Sequence, residues 1–367
     1  MTSRANLHRF GALVMKLIRK RDLTADEARF CWQQIITEQQ PDLQQGAFLA
    51  ALSAKGETAA EIAASWQAIY ELDTNKIQTE PYEILVDNCG TGMDNLKTFN
   101  ISTTAAVIAA ACGCKIARHG ARKLTSDFGT VDTLEYLGIE VDSDVSLVQK
   151  SIRETGIGIF NGMSSRVHPR ALGRILSQIQ FGTTLNIAGS LANPAAPRYA
   201  VRGVYAEQLI PAVTATLQEI GFKRALVFYG KGPEPDKGID EISLMNETVV
   251  RELKTDGTVT SYNLTPEQFG LKRCGFAPIS AGKNIKENAE KMLAILTGKT
   301  NGAARAIVCL NAAAVIYISG RSESINSGLQ KAAAAVQKGS ALTKLKQWVT
   351  VQSKNPQQSL QKLQKLL

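Results

Sequence analysis

From residue 4 to about residue 75 the apolar positions recur at helical spacing. Thr24 and Glu27 stand three apart before Phe30, Trp32, Ile35 and Ile36, the pattern of a capping box in which hydroxyl and carboxylate satisfy free amides at a helix start. Phe48, Leu49 and Leu52 form a second stripe, and Ile62, Trp66, Ile69 and Tyr70 a third, with Gly56 as the break between them. The pattern predicts a small all-helical region whose apolar faces pack on one another or on a second subunit.

The period changes after Thr79. Glu83 to Asp87, Lys115 to Ala117, Gly158 to Phe160 and Arg224 to Tyr229 read as short strands alternating with helical segments. Gly298, Gly320 and Gly339 each stop a helical run. From Pro356, Leu360, Leu363, Leu366 and Leu367 gather on one side of a last docking segment. The expected fold class is α/β: a small helical N-terminal domain over 1–78, a large α/β domain over 79–350 with a central mixed sheet flanked by helices, and a C-terminal helical extension over 351–367.

A chain of 367 residues with 44% hydrophobic content can bury a sizeable core, which excludes disorder as its main theme. The longest apolar stretches, Thr103 to Cys114 and Ala304 to Gly320, are too short or are interrupted by Asn311, so no membrane span is expected. Lys16, Arg19 and Lys20 break up any leader-like run, and a cytoplasmic location is expected. The six cysteines contain no CxxC pair and read as core filler, without disulfides or a zinc site. The net charge of +9 is carried largely by the C-terminal region, where Arg321, Lys331, Lys338, Lys344, Lys346, Lys354, Lys362 and Lys365 face one acid, Glu323. A solvated helix face or a nucleic-acid surface both fit that surplus.

Three constellations carry chemistry. The first is the loop Cys89-Gly90-Thr91-Gly92-Met93-Asp94-Asn95, followed by Thr98-Phe99-Asn100-Ile101-Ser102-Thr103 and an apolar helix. Glycines let backbone amides approach a phosphate, and a helix start adds free amides and hydroxyls. The second is Arg118-His119-Gly120-Ala121-Arg122, followed by Thr125-Ser126-Asp127-Phe128-Gly129-Thr130-Val131-Asp132, which gathers cations and hydroxyls able to hold pyrophosphate. The third is Asp240-Glu241. Adjacent acids on a loop suit magnesium, which takes one or two carboxylates beside water and phosphate oxygens; the plain alternative is an acid cluster opening a helix over Ile242 to Leu253.

These pieces, in this order, resemble the anthranilate phosphoribosyltransferase family, within the wider group that includes pyrimidine nucleoside phosphorylases. Asn193-Pro194-Ala195, Gly203-Val204-Tyr205, Asp240-Glu241-Ile242-Ser243 and Leu310-Asn311-Ala312-Ala313 extend the likeness over nearly the whole chain. The resemblance implies a homodimer built through the helical domain and a cleft for phosphoribosyl pyrophosphate and Mg2+. Ser102, Asp240 and Glu241 match the metal ligands. Gly90, Thr91, Gly92, Asp94, Thr98, Asn100, Ser102, Thr103, Arg118, His119, Gly120, Ser126 and Thr130 match the donor site. The implied mechanism is loss of pyrophosphate from an oxocarbenium-like centre and attack by a nitrogen acceptor, with no catalytic group beyond those that position substrate.

The acceptor side departs from the family pattern. Arg118 stands for the usual lysine and Ala121 for asparagine, Met93 and Asn95 enlarge the glycine loop, and the arginine that pairs with the anthranilate carboxylate falls on Leu176 or Gln178. The later Arg-Thr becomes Gly182-Thr183-Thr184, and Gly-Pro-Leu becomes Gly189-Ser190-Leu191. Arg166, Arg170 and Arg174 lie four apart; on a helix they would share one face able to hold an anionic acceptor, as Ala121 would line its site. Phosphoribosyl transfer to anthranilate is the leading function. The alternatives are transfer to another nitrogen acceptor, nucleic-acid binding on the same scaffold, and nucleoside phosphorolysis.

Overall fold

The computed structural model describes residues 4–77, 84–122, 129–179 and 181–367. Four helices come first: α1 (Arg4–Ile18), α2 (Ala25–Ile36), α3 (Asp42–Lys55) and α4 (Ala59–Leu72). Both α2 and α4 open on reciprocal capping boxes, Thr24 with Glu27 and Thr58 with Glu61. Glu61 is fully buried, where it also accepts from the Leu23 amide and pairs with Lys55 at 2.9 Å. Phe10, Trp32 and Phe48 pack at the bundle centre, with ring centroids 5.3–5.4 Å apart.

The chain then alternates: β1 (Val86–Asp87), α5 (Ile101–Ala111), β2 (Ile116–Gly120), α6 (Thr130–Tyr136), α7 (Val145–Thr155), β3 (Ile157–Asn161), α8 (Leu172–Gln178), α9 (Thr184–Leu191), β4 (Tyr199–Gly203), α10 (Ile210–Glu219) and β5 (Arg224–Lys231). Three short strands follow, β6 (Gly238–Ile239), β7 (Thr248–Leu253) and β8 (Val259–Leu264). Five helices complete the order: α11 (Ile285–Leu296), α12 (Ala303–Ile318), α13 (Ile325–Gln337), α14 (Ser340–Val351) and α15 (Pro356–Gln364). Among the described residues the strands make one mixed sheet in the order β3-β2-β1-β4-β5-β7-β8, with β6 also on β5. The first five are parallel; β6 and β7 each pair antiparallel with β5, and β8 pairs antiparallel with β7.

Successive side chains of β5 go to opposite cores, because a strand has a period of two. Leu226 and Phe228 join the core under α5 and α12, whereas Ala225, Val227 and Tyr229 join the one under α9 and α10. The second core is continuous with the N-terminal bundle, so α1–α4 pack on α8–α10 of the same chain. Trp66 Nε1 donates to the Leu191 carbonyl across that contact (3.1 Å). At the free edge of β3 the buried Gln352 side chain substitutes for a neighbouring strand. Its Oε1 accepts from the Ile159 amide, and its Nε2 donates to the carbonyls of Ile159 and Glu140.

Two expectations need correction. Ile242 to Leu253 contains no helix: residues 248–253 form β7, whose Thr248, Val250, Glu252 and Leu253 are buried against the sheet. Asp240-Glu241 therefore does not cap a helix of its own. Nor do Arg166, Arg170 and Arg174 share a helical face, since α8 begins only at Leu172. The Asp73 carboxylate sets that start by accepting from the amides of Arg170, Ala171 and Leu172 at 2.5, 2.9 and 2.8 Å.

Candidate functional site

Strands β1 and β4 are neighbours, but β1 is followed by a connection toward β2 and β4 by one toward β5. Loops leaving the carboxyl ends of such a pair diverge and open a crevice, the usual ligand position in a doubly wound sheet. Here it is a cleft of about 380 Å³ lined by the loop after β1, the start of α5, the end of β2, α8, α9 and Asp240-Glu241. A buried ion pair holds its floor: Asp87 Oδ2 on β1 to Arg202 on β4 at 2.8 Å.

The glycine loop is stapled to β4. The Thr91 amide donates to the Gly203 carbonyl (3.0 Å) and Thr91 Oγ1 accepts from the Tyr205 amide (3.0 Å). Asp240 closes the loop from the other side, with Oδ2 accepting from the Gly92 amide at 2.8 Å. A Cβ on Gly90 would lie 2.2 Å from that Oδ2, so only glycine admits the carboxylate there. Met93 adopts φ +70°, a left-handed conformation that glycine takes without strain. The glycine this chain lacks at Met93 is therefore one the backbone would favour.

Helix α5 aims its start at the same place. The Ser102 amide donates to Glu241 Oε1 (2.8 Å), placing a carboxylate at the positive end of the helix. Arg118, 2% exposed, donates to Asn88, to the Ser102 carbonyl and hydroxyl, and to Thr103 Oγ1, while its Nε has no protein partner. Thr103 Oγ1 and Thr130 Oγ1 are 3.3 Å apart, and Asn100 Oδ1 accepts from Thr133. Thr98 bridges to Ser280 at the cleft edge.

Asp94 and Glu241 are buried, and Asp240 is partly buried beside them. Burial, then the ionised Asp240, pushes Asp94 up to about 8, and burial likewise raises Asp240. Glu241 is raised well above the usual range, first by burial and then by Asp240. Such a cluster of desolvated, mutually repelling carboxylates is stabilised by a cation. Among the described residues no three His, Cys, Asp or Glu side chains converge as a complete metal cage. Two carboxylates and a hydroxyl with an open side suit an ion that keeps water or phosphate oxygens, as magnesium does.

Of the first constellation Cys89 to Asp94 and Thr98 to Ser102 line this one cleft, together with Arg118, His119, Gly120, Ala121, Thr130, Asp240 and Glu241. Asn95 does not line it, and Thr103, expected at the donor site, is fully buried beneath it. Ser126 lies outside the described residues. Lys97, which donates to the Asp94 carbonyl and stands 3.6 Å from its carboxylate, went unnoticed in the sequence although a lysine inside a phosphate-type loop is a signal. Leu172, Leu185, Asn186 and Asn288 were also missed, because α8, α9 and α11 reach the cleft only through the tertiary fold.

Two family models match the chain: a glycosyl transferase family α/β domain over residues 82–342 and a glycosyl transferase family helical bundle domain over 12–72. Anthranilate phosphoribosyltransferase of Methanococcoides burtonii is 38% identical over 93% of this chain and 94% of its own. That of Haloarcula marismortui is 38% identical over 88% and 95%. This chain belongs to the anthranilate phosphoribosyltransferase family. The anthranilate phosphoribosyltransferase structure from Thermus thermophilus superposes with TM-score 0.81 at 30% identity, covering 92% of this chain and 98% of that one. A Saccharomyces cerevisiae anthranilate phosphoribosyltransferase structure at 23% identity has the same fold, with TM-score 0.82 over 96% and 99%.

Within this family framework the far end of the cleft is apolar, lined by Leu172, Leu176 and Leu185 beside Gly189 and Ser190. None of the three arginines lines it. Arg166 pairs with Asp144, Arg174 pairs with Asp42 and Glu38, and Arg170 stands at the turn before α8. Arg122, at the cleft, is held by Asp132, Glu135 and Asp142.

Proposed function

We propose that the protein transfers the 5-phosphoribosyl group of phosphoribosyl pyrophosphate to the amine of anthranilate, releasing pyrophosphate. The observation that carries this is the meeting of Asp240 and Glu241 with the glycine loop and the start of α5 at the sheet's switch point. Amides, hydroxyls and an open acid pair there match a diphosphate-metal ligand. The yeast structure of the same fold is in complex with phosphoribosyl pyrophosphate and magnesium, and that identity supports Mg2+ here.

Ser102, Asp240 and Glu241 would hold the ion, which when bound offsets the charge of the departing pyrophosphate. The loop from Gly90 to Asp94, with Lys97 beside it, would orient the donor. Asn100 at the start of α5 and Thr130, which the buried Thr103 hydroxyl supports from beneath, would fix the ribose phosphate. Arg118 holds the loop and helix together from beneath, through Asn88, Ser102 and Thr103. The apolar walls of Leu172, Leu176 and Leu185 accept a flat ring and exclude water. Fixed donors and prearranged groups thus supply positioning and charge stabilisation.

Pyrophosphate release from phosphoribosyl pyrophosphate, Mg2+ and anthranilate tests this, with Asp240→Ala plus Glu241→Ala as control. Release that the double variant loses is expected; no release with anthranilate or related amines overturns it. No observation favours nucleic-acid binding, and four of the eight C-terminal cations have local partners. Lys344 donates to the Thr155 carbonyl, Lys362 to that of Glu135 and Lys331 to that of Arg321, and Lys354 pairs with Glu140.

A homodimer through the N-terminal helices is supported by exposed Met15, Ile18 and Leu43 at 46%, 55% and 90%. Sedimentation of wild type against Ile18→Glu tests it. Six unpaired cysteines fit a reducing cytoplasm, and among the described residues no helix is long and apolar enough to cross a membrane.

A further inference from the structure

Two buried imidazoles meet at the cleft wall, which His119 lines. His119, at the end of β2, and His168, in the turn before α8, approach Nε2 to Nε2 at 3.0 Å. Each Nδ1 faces a backbone carbonyl: that of His168 lies 2.7 Å from the Asp73 oxygen, and that of His119 lies 3.3 Å from the Ser190 oxygen. The row therefore reads carbonyl, imidazole, imidazole, carbonyl.

Counting protons along it fixes the tautomers. A carbonyl only accepts, so the short contact to Asp73 puts the His168 proton on Nδ1. Burial keeps His168 neutral, which leaves its Nε2 bare. His119 must then donate through Nε2. Being neutral as well, with its pKa pressed down to about 3 by burial and then by His168, it has no proton for Nδ1. The three contacts of the row share two protons, and Thr74 Oγ1, 3.3 Å from His168 Nδ1, can only accept there because its own hydrogen goes to the Ile69 carbonyl. The gap falls between His119 Nδ1 and the Ser190 carbonyl, where both residues line the cleft beside the apolar wall.

We propose that the His119–His168 pair takes up the proton lost by the attacking amine, with His119 Nδ1 as the base and His168 as the residue that positions it. This rests on the phosphoribosyl-transfer function above. The amine lone pair forms the bond to the ribosyl carbon, and the bond from that carbon to pyrophosphate oxygen breaks with its electron pair leaving on oxygen. The nitrogen, now carrying a fourth bond, releases a proton to His119 Nδ1 and keeps the N–H electron pair. The imidazolium then donates to Ser190, and all three contacts of the row are made. An arylammonium formed in this way is strongly acidic, so a weakly basic imidazole is sufficient.

The surroundings suit a transient positive charge only. Arg202, which donates to Ser190 Oγ at 2.7 Å, opposes a permanently charged His119. The Asp73 carboxylate faces His168 but is taken up by three amides at the start of α8. Cys89 Sγ accepts the His119 backbone amide, and its thiol is held neutral by burial.

The first test is the protonation of each ring nitrogen, read from long-range proton–nitrogen correlation spectra of protein carrying labelled histidine. The chain has three histidines, and His8 is on the exposed side of α1. A bare Nδ1 on His119 and a bare Nε2 on His168 are expected; a proton on His119 Nδ1 in the unliganded protein overturns the proposal. The second is turnover of anthranilate by wild type, His168→Phe and His168→Gln. Phenylalanine cannot accept from His119 Nε2, and kcat is expected to fall about 100-fold with the KM for phosphoribosyl pyrophosphate unchanged. Glutamine offers an oxygen at that place and should recover most of the rate. Equal loss in both variants, or none in either, removes the proton role alone. A wild type that releases no pyrophosphate removes the transfer function and this proposal with it.

Discussion

Replacing Asp94 by asparagine should stabilise the unliganded protein while disabling it. Its carboxyl is raised from an ordinary 3.8 to about 8, by burial first and by the ionised Asp240 second, against a smaller opposing effect of Lys97. A carboxyl raised on folding contributes stability that is fully present below about pH 4 and lost as pH rises through about 8. At about 1.4 kcal/mol per pKa unit, the rise corresponds to on the order of 5 kcal/mol. For 367 residues, an unfolding entropy of roughly 2.1 cal/mol/K per residue gives about 0.8 kcal/mol/K, so the shift in Tm is about 6 °C. Asparagine removes the ionisation. Calorimetry at pH 9 without metal should show Asp94→Asn melting about 6 °C above wild type, with the gap closing at pH 4. Adding Mg2+ with phosphoribosyl pyrophosphate at pH 9 should raise wild type more than the variant. A variant that melts at or below wild type at pH 9 refutes the picture of a charge cluster awaiting a cation.

Three further outcomes follow from the same geometry. A Cβ on Gly203 would stand 1.8 Å from the Asp240 carbonyl, so Gly203→Ala must displace Asp240; kcat/KM should fall at least about 100-fold, and near-normal turnover refutes the placement. Gln352→Leu strands the Ile159 amide and carbonyl, the Glu140 carbonyl and the Trp348 indole N–H. At ~1–3 kcal/mol per buried orphan, partly relaxed, the loss is about 4 kcal/mol in urea unfolding, and less than ~1 kcal/mol would show that the sheet edge needs no such cap. Arg174→Ala removes two half-exposed ion pairs, which costs at most about 1 kcal/mol. It should leave the KM for anthranilate unchanged, whereas a rise of more than fivefold would return that arginine to the acceptor site.

Local interactions made much of this protein legible in its sequence. The capping box at Thr24 and Glu27, the break at Gly56, the stops near Gly298, Gly320 and Gly339, and the glycine loop before Ser102 all depend on residues within a few positions of one another. The fold class and the family followed, because periodicity and motif order are linear properties. Residues far apart in sequence were assigned on other grounds. Gly90 and Asp240 belong together because the carboxylate fills the space a side chain would take, and only the order β1-β4-β5 brings them face to face. The three arginines were misjudged because Asp73, almost a hundred residues earlier, decides where α8 begins. The same residue's carbonyl orders the protons of His168 and, through it, His119. Sequence determines which groups are available and the local turns that present them. Tertiary packing alone decides which are buried together, and burial sets their charge and their protons.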